Sequence, residues 1–418
     1  MRYSGPKGMN DVLPAESYRW QFVEEKFRQF CALYGYQEIR TPILEPTDLF
    51  ARGLGDTTDI VTKEMYTLTT KGNDSLALKP EGTAPVVRAY IERHLAVPGS
   101  VTKLYYITPI YRYERPQAGR YREGHQLGLE AIGSNDPMAD AEIIALTMNF
   151  YAKLGIKDTE LRLNSVGTVE SRAGYQQALL EYARPFFQKF PEDYVARLEK
   201  NPMRLLDSKD PEIQAIMTDA PDIFDYLDDE SRQHFEKVTD YLKALNIPYV
   251  RDRFLVRGLD YYTKTAFEVV SGKLGAQNSL CGGGRYDELI EECGGDSTPA
   301  VGVAMGIERA LIVMEAQGIA IPDEFKPVVY VVTIGNVRLE AMKLLEELRR
   351  QNIPADIELS ERSLKAQMRQ ANKSEARFAL IMGEDELGRG VVGLKDLQTN
   401  IQEEIPLDQI VERILTSL

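Results

Sequence analysis

Apolar positions at helical intervals first mark 20–34, where Trp20, Val23, Phe27, Phe30 and Tyr34 line one face, with Pro14 ahead of them and Gly35 behind. That combination predicts one amphipathic helix, started near the proline and stopped at the glycine. Residues 36–42 follow as an extended segment, because Pro42 disfavours helix in the residue before it. The stretches 101–113 and 122–133 read as strands on either side of an arginine-rich connector, and predict a long hairpin. From 171 to 247 the pattern turns charged and helical, notably at 194–200 and 231–245, and is expected to form a helical insertion. Strand patterns return at 249–256, 265–270 and 276–281, and a helix at 306–317.

Beyond a linker at 321–327 the order is an apolar strand (328–334), then a helix carrying Val337, Ala341, Leu344, Leu345 and Leu348 on one face. Strands at 355–359, 378–382 and 391–395 follow, with a helix between the first two and a last helix at the end. Alternation at this spacing predicts a small, mostly parallel α/β domain. The expected boundaries are therefore 1–170 and 248–320 for a split larger domain, 171–247 for its insertion, and 328–418 for the final domain.

Composition narrows the function classes. The 418 residues are 43% hydrophobic and 27% charged, as in globular multidomain proteins. A net charge of −14 argues against a protein that coats nucleic acid nonspecifically. Residues 326–418 account for only −2 of that total, so a polyanion would have to be met by local basic patches on an acidic whole. Cys31, Cys281 and Cys293 are odd in number and form no Cys-x-x-Cys pair, which suits a reducing cytoplasm better than a disulfide framework or a zinc site. No apolar leader and no apolar run of ~20 residues is present, so neither a signal peptide nor a membrane span is expected.

Candidate chemistry sits in five places. The connector 111–122 holds Arg112, Arg115, Arg120 and Arg122 with one carboxylate, Glu114, interleaved with tyrosines. Guanidinium forks suit phosphates, although such a hairpin also makes ordinary surface ion pairs. Arg257-Gly258-Leu259-Asp260-Tyr261-Tyr262 allows close approach of a ligand beside an arginine. Cys281-Gly282-Gly283-Gly284-Arg285-Tyr286-Asp287 is read as a tight turn or an anion cradle, but no Gly-Lys-Ser/Thr follows to make a P-loop. Gly302 to Arg309 is a strand-to-helix junction with an arginine in the first turn, and Lys79-Pro80-Glu81-Gly82-Thr83 sets a carboxylate and a hydroxyl in a constrained turn. Each signal is weak alone.

In this order, and across the whole chain, they resemble class II aminoacyl-tRNA synthetases and, among them, the histidyl-tRNA synthetase family. Arg40-Thr41-Pro42 resembles motif 1, the hairpin at Arg112 and Glu114 motif 2, and Gly302 to Arg309 motif 3, while the Arg257 and Gly282 peptides resemble the two histidine-specific ones. The resemblance implies an α+β fold: an antiparallel sheet flanked by helices, the helical insertion, and a C-terminal α/β anticodon-binding domain. It implies activation of histidine with ATP and transfer to its tRNA, by a cytoplasmic homodimer, with Mg²⁺ accompanying the nucleotide. Arg112, Arg257 and Arg309 would be catalytic, and Arg112, Glu114, Tyr121 and Arg309 would hold ATP. Glu81, Thr83 and Gln126 would meet the amino group of histidine; Glu130, Tyr261, Tyr262 and Tyr286, with Arg257, would complete its pocket. Arg115, Gln117 and Arg122 would approach the tRNA acceptor end.

Three positions depart from the family pattern. Gly124 stands where an aromatic residue usually stacks on adenine, Val303 replaces an aromatic, and Lys79 an arginine. Two rivals share parts of the pattern. A regulatory paralogue that partners ATP phosphoribosyltransferase typically lacks the catalytic arginines and the last domain, both present here. A threonine or proline synthetase would not explain the Arg257 peptide.

Overall fold

The computed structural model describes residues 3–55, 58–190, 192–208, 210–274, 278–323 and 326–417. It divides into two units, Met1–Ile321 and Pro322–Leu418. Residues 324 and 325 of the expected linker, and 276–277 of the expected strand, lie outside the described residues.

The larger unit is built on an eight-stranded sheet. Its order is Gln37–Glu38, Thr102–Tyr111, Glu123–Ile132, Ala300–Gly306, Ser279–Arg285, Thr263–Ser271, Thr159–Gly167 and Val250–Arg251. The six inner strands pair antiparallel, and the two short outer strands are added parallel. The first helix runs Pro14–Leu33 with Val23, Phe27 and Cys31 buried, and Gly35 beyond it takes φ +75°, the left-handed stop that glycine adopts without strain. Phe27 packs edge-on against Phe150 of the helix Pro137–Lys153, with centroids 5.4 Å apart. The long hairpin forms in a register that sets Tyr106 opposite Gly128 and Leu104 opposite Glu130.

In this sheet two expectations differ from the structure. The triple glycine is neither turn nor cradle: Gly282, Gly283 and Gly284 lie inside the strand Ser279–Arg285. Without side chains they let Phe267, Tyr262 and Arg257 press against the strand. The 249–256 strand shrinks to Val250–Arg251, and the chain then loops through Arg257 to Tyr262 before the strand Thr263–Ser271.

The segment 171–247 is helical, with helices Val169–Ala183, Glu192–Lys200, Pro211–Met217 and Asp229–Ala244 joined by short 3₁₀ turns. The last of them places Phe235, Val238 and Leu242 in the same core as Ile143, Ile144 and Leu161. That helix therefore packs as part of the sheet domain rather than apart from it. A further small sheet, in the order Leu44–Pro46, Ser75–Leu78, Tyr66–Thr69, precedes the hairpin.

The smaller unit carries a five-stranded sheet in the order Ala355–Ile357, Val329–Ile334, Phe378–Gly383, Val391–Asp396, Gln402–Pro406. The first three are parallel and the last two antiparallel, so the sheet is mixed rather than mostly parallel. Its helix Arg338–Arg350 buries Ala341, Leu344, Leu345 and Leu348, the face read from the sequence. No described helix is long and apolar enough to cross a membrane.

Candidate active site

A cleft of about 970 Å³ opens over the inner strands of the large sheet. Glu81, Thr83, Arg112, Glu114, Tyr121, Gln126, Arg257, Tyr261, Tyr262, Tyr286 and Arg309 all line it. Residues spread over more than two hundred positions of sequence thus meet at one place.

One end is acidic and enclosed. The helix Thr83–Glu92 begins there, and its first N–H groups lack partners within the helix. Glu81 supplies them: its two oxygens accept from the Thr83 and Ala84 N–H groups, both at 2.7 Å. The carboxyl is nonetheless pushed up from its ordinary value by burial, which outweighs those bonds. Gln126 Oε1 accepts the Gly82 N–H at 3.1 Å and ties this turn to the hairpin. Glu130 lies beneath the cleft, fully buried, accepting the hydroxyls of Tyr106, at 3.1 Å, and of Tyr286. The Tyr261 ring packs against Tyr262 and Tyr286, with centroids at 4.7 Å and 5.7 Å.

The other end is cationic. Arg112 donates from Nε to the Pro80 carbonyl at 2.8 Å, so the first arginine of the hairpin is braced on the turn that bears Glu81. Arg257 faces it from the loop before Thr263–Ser271, paired with Glu268 at 3.3 Å, its guanidinium lying over Gly282. A Cβ built at Gly282 would stand 1.9 Å from Arg257 Nη2, so only glycine leaves room for it. Arg309, in the first turn of the helix Ile307–Ala316, donates from Nε to the Gly119 carbonyl at 2.9 Å and from Nη1 to the Ser279 carbonyl. Burial and the nearby Arg120 lower its pKa. Glu114 pairs with Arg120, and burial, ahead of that pairing, raises its pKa. Arg115 and Gln117 stand exposed in the hairpin loop. Arg122 donates to the Glu114 carbonyl at 3.1 Å and covers the Tyr113 ring at 4.0 Å, outside the cleft lining.

Two residues of the site, Tyr106 and Glu268, escaped the sequence reading, and Lys79 figures in it only as replacing an arginine. Tyr106 lies across Gly82 and Gly128, where an added Cβ would meet its ring at 2.2 Å and 1.9 Å. The signal was a glycine inside the hairpin strand, which marks a close approach. Glu268 orients Arg257 and had no distinctive neighbours in sequence. Lys79 is fully buried, donates to the Thr41 carbonyl at 3.2 Å and its hydroxyl at 3.1 Å, and is pulled down to about 8 by burial.

An antiparallel sheet with an arginine on its hairpin, another at a strand-to-helix junction and buried carboxylates in and beneath the same cleft is the class II aminoacyl-tRNA synthetase architecture. Comparison with known proteins agrees. The family model for histidyl-tRNA synthetase matches residues 8–310, and that for the anticodon binding domain residues 328–417. A histidine–tRNA ligase of Desulforamulus reducens is 50% identical over 97% of both chains. One from Caldanaerobacter subterraneus subsp. tengcongensis is 49% identical over 99% of this chain and 100% of its own. The apo crystal structure of Staphylococcus aureus histidyl-tRNA synthetase superposes with a TM-score of 0.84 at 40% identity, covering 99% of this chain and 100% of its own. The chain belongs to the histidyl-tRNA synthetase family.

Proposed function

We infer that this chain is a histidine–tRNA ligase: it converts histidine and ATP to histidyl-adenylate and pyrophosphate, then transfers histidine to the 3′ end of its tRNA. The observation that carries this reading is one cleft lined by Glu81, Arg112, Arg257 and Arg309, with Glu130 buried beneath it.

In this reading Glu81, with Thr83 and Gln126, takes the ammonium of histidine, while Glu130, Tyr261, Tyr262 and Tyr286 enclose the imidazole. The already ionised histidine carboxylate attacks the α-phosphorus in line, so no general base is required. Negative charge builds on the non-bridging oxygens, and Arg112 and Arg257 face it from opposite sides. Fixed guanidinia that need no reorganisation lower such a barrier chiefly by electrostatics. Arg309 holds the γ-phosphate, with Glu114 and Tyr121 on the adenine side. Arg115, Gln117 and Arg122 meet the tRNA acceptor end, and the final unit binds the anticodon. A ring lacking the imidazole nitrogens would leave buried polar groups unpaired, which discriminates strongly.

Magnesium would enter with the nucleotide. Among the described residues no group of three or more His, Cys, Asp or Glu side chains stands together to hold a metal ion, so no protein cage is assigned to it. A cytoplasmic homodimer paired through the Arg40-Thr41-Pro42 segment completes the reading.

Exchange of pyrophosphate into ATP, without tRNA and with threonine and proline as controls, tests it directly. Exchange with histidine alone is the expected result. The rival, an inactive regulatory subunit of ATP phosphoribosyltransferase, requires no exchange with any amino acid from folded protein.

The nucleotide end offers a second test. A Cβ at Gly124 would meet only Ile110 Cγ1, at 3.7 Å, so a side chain can start there without a clash. Gly124→Phe is expected to lower the Michaelis constant for ATP by restoring a ring to stack on adenine. An unchanged or raised constant overturns that expectation.

A further inference from the structure

Glu130 has no basic side chain bonded to it; its oxygens are met by the Tyr106 and Tyr286 phenols and by the Thr83 hydroxyl. The groups nearest it are neutral or acidic, and the one basic group beside them, the Arg257 guanidinium, lies against the Tyr262 ring at 5.7 Å from its centroid and is bonded to Glu268, not to Glu130. Tyr106 comes from the hairpin strand, Tyr286 from the end of the glycine strand, Tyr261 and Tyr262 from the loop before Thr263–Ser271, and Glu81 and Thr83 from the start of the helix Thr83–Glu92. A bare carboxylate so placed has lost its water and gained no counter-charge. The pocket therefore holds a proton at Glu130 when empty; burial pushes this carboxyl up to about 8.

Free histidine carries a ring that titrates at ~6.5 and is mostly neutral at pH 7. Tyr286 and Gly302 line the cleft directly over Glu130, and a Cβ at Gly302 would stand 1.9 Å from Glu130 Oε2. The missing side chain lets the carboxylate sit close beneath the cleft, where the histidine ring of the reading above would meet it. With the proton on the ring, the contact becomes a charge-assisted bond between imidazolium and carboxylate, stronger than its neutral counterpart. The Tyr106 and Tyr286 hydroxyls remain as donors to the new carboxylate, and the far ring N–H is left for the Tyr262 oxygen to accept.

We propose that this pocket holds histidine as the imidazolium, the proton passing from the Glu130 carboxyl oxygen to the ring nitrogen as the amino acid docks. No proton is lost overall near neutrality: one bond to hydrogen breaks on oxygen and one forms on nitrogen. Tyr106 becomes a specificity-determining residue, because its hydroxyl stabilises the carboxylate that results. The proposal rests on the histidine-binding reading above.

Proton exchange on binding tests it. Calorimetry of histidine binding to the whole protein, in buffers of different ionisation enthalpy, counts the protons taken up. At pH 8.5 Glu130 is largely ionised in the empty pocket and the free ring is neutral, so the complex must draw its proton from the buffer. The wild type is expected to take up half to one proton more than Glu130→Gln, whose amide cannot titrate; protons needed by the amino group cancel between the two. At pH 5.5 the wild type should instead release close to one proton more than the variant. Equal counts at both pH values overturn the proposal. Because a proton kept on Glu130 beside a neutral ring would give the same counts, the ring nitrogens of ¹⁵N-labelled histidine bound to the wild type at pH 8 decide where it sits, and they do so even if the variant binds no histidine. Two protonated nitrogens are expected, and one bare nitrogen overturns the proposal. Absence of histidine binding to folded wild type would instead remove the underlying reading.

Discussion

Arg257→Gln is expected to lower kcat for histidine-dependent pyrophosphate exchange about 10²–10³-fold, the scale for losing one preorganised donor to developing charge. The arginine is fixed before any ligand arrives. Glu268 holds one Nη at 3.3 Å, and Gly282 lets the guanidinium lie flat against the strand. The Tyr262 ring centroid is 5.7 Å from its central carbon. Glutamine is shorter and neutral, so it removes both the charge and its placement. Because the effect falls on the transition state, the Michaelis constant for ATP should move much less than kcat. Glu268→Gln keeps the guanidinium and loosens it, and should cost less. A loss below tenfold for Arg257→Gln would take this residue out of the chemistry.

The second large effect concerns stability. Arg285 is completely buried, with its guanidinium shared among Asp140, Asp287 at 3.1 Å, and the Ser134 and Asp136 carbonyls at 2.7 and 3.3 Å. His234 reaches the same Asp140 at 3.3 Å. This cluster ties the helices Pro137–Lys153 and Asp229–Ala244 to the strand that carries Tyr286 into the pocket. Arg285→Met leaves Asp140 buried without its guanidinium partner, and is expected to cost about 3–5 kcal/mol. Burial pushes the Asp140 carboxyl up, but Arg285 and His234 overcome it and hold it at about 2. Since that lies below the unfolded value of ~3.9, the pair's stabilisation is present above about pH 4 and is lost as pH falls toward 2. In the variant the carboxyl rises instead, and protonation relieves it. Thermal unfolding should therefore show the largest deficit near pH 7 and a smaller one at pH 4.5. Asp140→Leu combined with Arg285→Met should be less damaging than the sum of the two changes. A deficit independent of pH would show that the lost packing, not the stranded charge, carries the cost.

Sequence periodicity exposed the elements whose two faces differ. The helices Pro14–Leu33 and Arg338–Arg350 each turn one face to the core and the other to solvent, so their spacing is legible. The hairpin strands, in contrast, have no exposed residue and were found from the arginine connector that they flank. Gln402–Pro406 offers neither signal: only Ile405 among its five residues is buried, and an edge strand of charged residues has no pattern to read. The glycine strand failed for a related reason, since glycines carry no side chains from which to judge a period. In the helix Asp229–Ala244 the buried positions 235, 238 and 242 were present at helical spacing, but charged neighbours masked what they pack against. The site itself was readable where residues cluster in sequence, as in the arginine connector. Partners separated by long loops were not. Tyr106 and Glu130 meet only through the hairpin register and the adjoining turn, and Asp140 meets Arg285 across 145 positions.

The pocket floor has a consequence for redesign. Gly82 and Gly128 make way for Tyr106, Gly302 for Glu130, and Gly282 for Arg257, each with less than 2.5 Å between the neighbour and a would-be Cβ. At these positions the cavity is carved by side chains that are already missing, so nothing remains there to trim. On the side of the floor, a bulkier amino acid would gain space by shortening Tyr106 or Tyr286, and both hydroxyls are spent on Glu130. On that side volume and charge control are the same two rings, so widening the floor also strips hydroxyls from the Glu130 carboxyl.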